Sequence, residues 1–535
     1  MMYLMGKLDK FTNTPAEIYN YVEVLNKQFY FAVLKSKGSV KLKNTTDSYF
    51  FCMDDDLVYD NYYADFGPLN ISCLYKFCCE VRKLLRFAKG TRSVVYYTCS
   101  QLERKTNAAC LIGCFAVIHL GFHPDEIWKI LLELSPYKLY IDASQVACCF
   151  HLCIQDVLNA VHKAVQFNFF NFEDFNVSEY DMYDLLQYGD INWLVPRKFL
   201  AFIGPSENNQ GHPPGYYLKY FLKNDVKYVI RLNQACYDSK VFINAGIQHV
   251  DLIFPDGTTP PRDVLIRFLD IAEMGPGAIA VHCKAGLGRT GSLIGAYLIK
   301  HYHLTAREAI GWMRLCRPGS VIGYQQIWLE KLEPWLWKIG NHYRMRKFGA
   351  SDKLPRHRYG IYSKQWPLDR ERILVEARKK IQINLPRSDN DKASSQLNQK
   401  RVTSNTGYLH GKQMANLGST AMKGNFKALF DGTPDSTTSA RESTFYQGVS
   451  KLINTQHHSS KSNQHTSLLS QVANSMRHSA PSHQRILPSN AVSGLLTAVP
   501  IHASEATQKS QWATQGDKLN EIKVARLMAN AHSAN

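Results

Sequence analysis

No apolar run in the 535 residues approaches the roughly 18 needed to cross a bilayer, so a transmembrane helix is excluded by pattern alone. The opening stretch, Met1 to Lys7, has too short an apolar segment before charge returns to be a secretory signal. Paired metal-ligand spacing is also missing among the thirteen cysteines. Cys149-Phe150-His151-Leu152-Cys153 is the nearest thing to a ligand cluster, and core thiols explain it better than zinc does. Neither a metal nor an organic cofactor is expected.

Negative charge is scarce in one region only. Residues 341–535 hold 12 Asp and Glu against 28 Lys and Arg, whereas residues 1–340 hold 33 against 35. The basic balance of the whole chain therefore belongs to its last part. Such a stretch can meet nucleic acid, membrane surface or acidic partners, but solubility alone explains it equally, and no specific nucleic acid is expected. Large apolar residues thin out in the same region. Ser394 to Arg401 and His457 to Ser462 are typical, and a segment of that composition cannot offset its ordering entropy. Residues 346–535 are accordingly expected to be a disordered basic tail, with Lys518 to Ala531 able to form a short helix on a partner.

Upstream the composition is that of folded protein. Residues 1–205 read as one domain, 206–224 as a breaker-rich linker plus a short helix, and 225–345 as a second domain. Val226–Leu232, Val250–Phe254 and Ala278–Val281 read as strands, with Pro261–Met274, Thr305–Leu315 and Gln325–Ile339 as helices. Alternation of this kind predicts an α/β fold with a parallel-sheet core and flanking helices. The first domain echoes the second. Val94 to Cys99 is a strand ending at a cysteine, and Gly121 to Glu126 parallels His303 to Glu308 at an offset of 182. Duplication is the economical explanation.

The two copies differ in glycine. Between Cys99 and Asn107 there is none, Lys105 stands six residues after the cysteine, and Glu103 would repel an anion. Without glycines the backbone cannot readily curl its amides around an anion, so Cys99 is expected to be inert and the first copy degenerate. In the second copy, Cys283-Lys284-Ala285-Gly286-Leu287-Gly288-Arg289-Thr290-Gly291 joins a buried strand to a helix N-terminus. The amides of Lys284, Ala285, Gly286, Leu287, Gly288 and Arg289 can then line one concavity at the positive end of the helix dipole, a site for a phosphate-sized dianion. A cysteine there is expected to be a thiolate, favoured by the amides, the dipole and Arg289. Arg289 can hold two oxygens with its fork, and Thr290 can donate to the sulfur. His282 orients the loop. A thiolate chemistry needs a reducing compartment.

This pattern resembles the phosphate-binding loop of the cysteine-dependent protein tyrosine phosphatase superfamily. Such chemistry needs a general acid. Asp256, in Phe254-Pro255-Asp256-Gly257-Thr258, follows a strand 27 residues before Cys283 and matches the superfamily's mobile acid loop. An Asp-Gly surface turn is the plain alternative. An amide that could place the second-step water is offered by Gln325 or Gln326, between which the sequence does not choose.

Phe202-Ile203-Gly204-Pro205, Ile230-Arg231-Leu232-Asn233, Ala280 to Gly291 and Cys316 to Gly323 together resemble the cell division cycle fourteen family of dual-specificity phosphatases, over about residues 10–350. The resemblance implies two tandem phosphatase-like domains, the first degenerate and the second catalytic, and a role in mitotic exit and cytokinesis. It implies phosphoprotein substrates of proline-directed, cyclin-dependent kinases, with a basic residue downstream received by Asp181, Asp184 and Asp190. It also implies a nuclear and cytoplasmic location, with centrosome or spindle association. Tyr324 departs from the family's usual proline and Pro255 from its frequent alanine. Two rivals stand beside this reading: a phosphoinositide phosphatase, which would favour a second lysine where Leu287 stands, and a scaffold that binds phosphoproteins without turnover.

Overall fold

The structure, a computed structural model, describes residues 15–38, 40–206, 211–275, 277–384 and 513–533. The expected disorder of residues 385–512 lies outside the described residues, as does the opening Met1–Lys7. The chain divides into two compact units, residues 1–382 with 504–535, and residues 383–503. Both sheets and the Cys283 loop belong to the first unit.

One sheet has strands β1 (Ile18–Leu25), β2 (Phe29–Leu34), β3 (Ser48–Phe51) and β4 (Ser93–Thr98) in the order β1-β2-β4-β3. The other has β5 (Ile191–Val195), β6 (Phe199–Phe202), β7 (Val226–Arg231), β8 (Gln248–Asp251) and β9 (Ala278–His282) in the order β5-β6-β9-β7-β8. Each begins with an antiparallel edge hairpin and continues in parallel. The parallel strands read as unbroken apolar runs, Phe29-Tyr30-Phe31-Ala32-Val33-Leu34 and Ala278-Ile279-Ala280-Val281, because both of their faces are covered. Both are buried along their whole length.

The expected mixed α/β class, with parallel-sheet cores, is what the chain adopts. The echo between the halves extends to helix starts. His123 and Glu126 close a capping box on Pro124–Leu132, as Thr305 and Glu308 do on Ala306–Cys316, each pair satisfying two amides that the first turn leaves free. The halves are also joined directly. Lys163 Nζ meets Glu308 Oε2 at 2.6 Å and donates to the His303 carbonyl, and Tyr180 Oη donates to the Cys316 carbonyl in the interior.

Three expected boundaries move. The second sheet opens at Ile191, not after residue 205, because the hairpin β5-β6 supplies the strand beside β9. Strand β8 ends at Asp251, which leaves Leu252 to Phe254 to lead into the Asp256 loop. Ordered structure also runs well past residue 345. Helix Tyr324–Phe348 continues to 348, Ile361 and Tyr362 are buried, and Tyr362 Oη accepts from the Trp193 amide. A helix covers Gln365–Asn384, and another, Gln515–Ser533, covers the stretch expected to be helical. Too few apolar residues mark these segments for composition to separate them from the tail around them.

Candidate active site

Strand β9 is the centre of its sheet, and its carboxyl end delivers the Cys283 loop between β6 and β7. Cys283 is 3% exposed. Gly286 has φ +69°, and a Cβ there would stand 2.1 Å from the Phe202 carbonyl oxygen, so no other residue fits that turn. Helix Gly288–Tyr302 starts directly beyond it.

His282 is fully buried, and burial pushes its pKa down to about 3, so the ring is neutral. Its Nδ1 faces the Cys283 carbonyl at 3.0 Å and must carry the proton. Nε2 is then an acceptor for Tyr237 Oη at 2.8 Å, and His249 Nε2–H donates to the same hydroxyl oxygen. This chain fixes the start of the loop, as expected of His282. It has no proton to spare for catalysis.

Arg289 is 3% exposed. Nη1 donates to the Phe254 carbonyl at 3.1 Å, and Nη2 lies 3.0 Å from Asp256 Oδ1 as an ion pair. Nε is buried without a hydrogen-bond partner, and the hydrogen-bond geometry from Nη2 is also unmet. Since a buried donor without an acceptor costs about 1–3 kcal/mol, that edge of the guanidinium is built for an anion. Thr290 is likewise fully buried with an unpartnered hydroxyl.

Asp256 stands across from Arg289 on the loop after β8. The two glutamines separate cleanly. Gln325 lies against the loop: its Oε1 accepts from the Ile322 amide at 3.1 Å, its Nε2 donates to the Thr258 carbonyl at 3.0 Å, and it would meet a Cβ on Gly288. Both ends of the Gln326 amide are taken, by Arg314 at 2.6 Å and by the Gly323 carbonyl at 3.3 Å. Gln326 is therefore held with Arg314.

Two arginines join the site that spacing alone did not mark. Arg317, 2% exposed, donates from Nε to the Gly286 carbonyl and from Nη2 to the Ala285 carbonyl, at 2.8 and 2.9 Å. It turns both carbonyls outward, which leaves the loop amides to face the concavity. Asp190 anchors it with two 2.8 Å bonds, and Asn192 Oδ1 adds a third contact. Arg231 is held in the same bidentate way by Asp251 and donates to the Tyr237 carbonyl. Both arginines sit in the stretches that carry the family resemblance. Only their partners, distant in sequence, reveal their task.

The three expected acidic residues part company. Asp184 and Asp190 line a cavity of about 420 Å³ beside the loop, together with Tyr59, Tyr62 and Arg317. Burial lifts the Asp184 pKa to about 6, while Asn192 donates to it at 2.8 Å. Asp181 does not line the cavity. It pairs instead with Lys76 at 2.9 Å, because its place on helix Val177–Asp184 turns it toward the first half. Asp190 holds Arg317 with both oxygens and still receives Lys523 on Oδ2, so it can take a second cation.

The helix Gln515–Ser533 packs on this site. Its Gly516 amide donates to Asp256 Oδ2 at 2.9 Å, Lys284 Nζ pairs with Asp517 at 2.7 Å, and Lys523 Nζ reaches Asp190 Oδ2 at 2.5 Å. The partner for the expected terminal helix is thus its own chain. All thirteen cysteines are free, and among the described residues no cluster of His, Cys, Asp and Glu could hold a metal. No helix of the described residues is long and apolar enough to cross a membrane.

A family model described as the N-terminal half of dual specificity protein phosphatases matches residues 23–164. A second, described as a polymorphic toxin system DSP-PTPase phosphatase, matches residues 204–303. Human dual specificity protein phosphatase CDC14A is 45% identical over 62% of this chain and 56% of its own length. Mouse CDC14B is 42% identical over 64% of this chain and 72% of its own length. The tyrosine-protein phosphatase CDC14 homolog of Schizosaccharomyces pombe is 37% identical over 58% and 60%. The chain therefore spans little more than half of the human relative and nearly three quarters of the mouse one. On that match, and with both halves covered, the chain belongs to the CDC14 family of dual-specificity protein phosphatases.

Proposed function

We propose that this chain hydrolyses phosphate monoesters of serine, threonine and tyrosine in proteins, through a phosphocysteine intermediate. The observation that carries this is the Arg289 guanidinium, buried with its Nε edge unpaired, facing Asp256 beside the glycine-turned Cys283 loop. In the first step Cys283 Sγ attacks phosphorus, an S–P bond forms, and the P–O bond to the side chain breaks. Arg289 and the loop amides stabilise the charge on the equatorial oxygens, and Asp256 gives its proton to the departing oxygen. Then water attacks phosphorus, its proton passes to Asp256, and the thiolate leaves, helped by a bond from Thr290. Gln325, tied to the Asp256 loop through Thr258 and lying against Gly288 at the start of the catalytic helix, is the amide that places the water. Gln326 supports Arg314 instead.

Substrates are phosphoproteins made by proline-directed kinases, in a cell-cycle role, with a downstream Lys or Arg entering the cavity at Asp184 and Asp190. The first half docks substrate without chemistry of its own. The test is phosphate release from two peptides, with Cys283→Ser as control. One carries phosphoserine-Pro with a basic residue downstream; its twin has Ala and Glu at those positions. We expect kcat/KM at least ~10-fold higher for the first, and none with the variant. Equal rates would remove the acidic cavity from substrate choice, and binding without turnover would favour the scaffold.

A further inference from the structure

We infer that Thr514–Leu527 is an internal ligand of this site, a helix of the chain's own that covers the loop mouth and forms one wall of the adjoining cavity, in competition with substrate. Its consequence for turnover rests on the phosphatase reading above; its occupancy does not.

The contacts fall on one helical stripe, since Gly516, Leu519, Lys523 and Arg526 are spaced by three, four and three residues. Thr514 opens the helix. Its hydroxyl accepts from the Asp517 amide, and Asp517 in turn accepts from the Thr514 amide at 3.0 Å. Asp517 and Thr514 then both receive Lys284 Nζ, at 2.7 and 3.0 Å. Gly516 sits so close that a Cβ would lie 2.6 Å from Lys284 Cβ and 2.8 Å from Asp256 Oδ2. Glycine is what lets the backbone reach the carboxylate proposed as general acid.

Leu519, 2% exposed, packs with Ala143, Ala285, Leu287 and Ile322, over the loop itself. One turn on, Lys523 is 7% exposed and donates to Asp190 Oδ2 and to the Ala285 carbonyl. Arg526 completes the stripe. It pairs with Asp60 at 3.2 Å, donates to the Asn61 carbonyl and lies 4.5 Å over the Tyr62 ring. Each charge on the stripe meets its opposite on the surface, and the groups engaged are those substrate would need: Asp256, the loop, and the Asp190 side of the cavity. A helix that merely finished the fold would have no reason to choose them.

The surface therefore recognises a helix bearing a small residue, then Leu, Lys and Arg at those spacings, and this chain supplies one. A site occupied for most of the time loses apparent activity in proportion to the free fraction. The experiment uses the full chain with Gly516→Val and, separately, Lys523→Glu combined with Arg526→Glu. Turnover of p-nitrophenyl phosphate is measured beside the rate at which iodoacetate alkylates Cys283, mapped by mass spectrometry. We expect both variants to gain ~5-fold or more in kcat/KM and in alkylation, as release of a site four-fifths occupied requires. A synthetic peptide of residues 513–533, added to either variant, should restore the lower values competitively with substrate. Unchanged or lower turnover and alkylation in both variants would overturn the inference and leave the phosphatase reading standing. If neither the natural chain nor any variant turns over, that reading falls, and alkylation alone decides: a gain upholds the occupancy and no gain ends it.

Discussion

Two strands of this chain lead directly into a cysteine, β4 into Cys99 and β9 into Cys283, and each runs parallel to the second strand of an edge hairpin. The segments beyond the two cysteines differ. After Cys283 a glycine-turned loop leaves donors without acceptors, on Arg289 and Thr290. After Cys99 the helix begins almost at once, at Leu102, and the cysteine's own amide is already taken. Asp54 accepts from the Cys99 amide and from the Thr98 hydroxyl, each at 3.0 Å. Burial also raises the Cys99 thiol above its ordinary pKa. An aspartate of the chain thus holds the amide of the first cysteine and the hydroxyl before it.

Removing each sulfur sets the two loops apart most sharply. Cys283→Ser should lower kcat on phosphopeptides by ~10⁴ or more, while Cys99→Ser should stay within about twofold of the natural chain. Next comes Arg289→Lys. A lysine keeps the charge but loses the fork, and kcat/KM should fall by ~10²–10³. A loss under tenfold would mean the loop amides alone hold the phosphoryl group.

Effects on stability are smaller. Gly286→Ala combines a positive φ with a Cβ 2.1 Å from a carbonyl oxygen, and should cost about 2–4 kcal/mol in urea unfolding. Asp54→Ala leaves the Cys99 amide without its acceptor and should cost about 1–3 kcal/mol, with turnover per folded molecule unchanged. Were Asp54 essential to activity, the first loop would not be the inert partner described.

The smallest effect is on pH dependence. Burial lowers His282 to about 3 and His249 to about 4, from an ordinary 6.5. Both stay neutral in the folded chain and take a proton on unfolding, so the unfolded state binds more protons below 6.5. Their contribution is complete above pH ~6.5 and is lost as pH falls through about 4. Tm should take that course, and His249→Gln should flatten its acid limb. An unchanged limb would mean that His249 is not proton-linked to folding.

Much of this was legible in order along the chain. The Cys283 loop, its flanking strand and helix, and the strands β7 and β9 declare themselves through glycines and apolar runs, which are local signals. The α/β class came from their alternation. The features that escaped were set by partners far off in sequence. Arg317 is only one basic residue until Asp190 and the carbonyls of Ala285 and Gly286 surround it. Asp181 and Asp184 look alike on one short helix, yet Lys76 turns the first away. Gln325 and Gln326 are told apart by Arg314, which no spacing rule connects to them. The last helix was visible as a helix, but its docking surface is assembled from residues 60 to 322 of the same chain.

Of the fifteen residues in the catalytic helix Gly288–Tyr302, all but Tyr297 are buried, and that shelter governs how the site responds to ionic strength. Mobile ions thin out a field only where they can enter, within about 10 Å in 0.1 M salt. They are kept from most of this helix, so its positive end and Arg289 should hold an oxyanion almost as well in strong buffer as in weak. Asp60, at 73% exposure, has no such shelter, and its pair with Arg526 should loosen as salt is added. Raising the salt would therefore release the far end of the terminal helix while sparing the grip of the loop on phosphate.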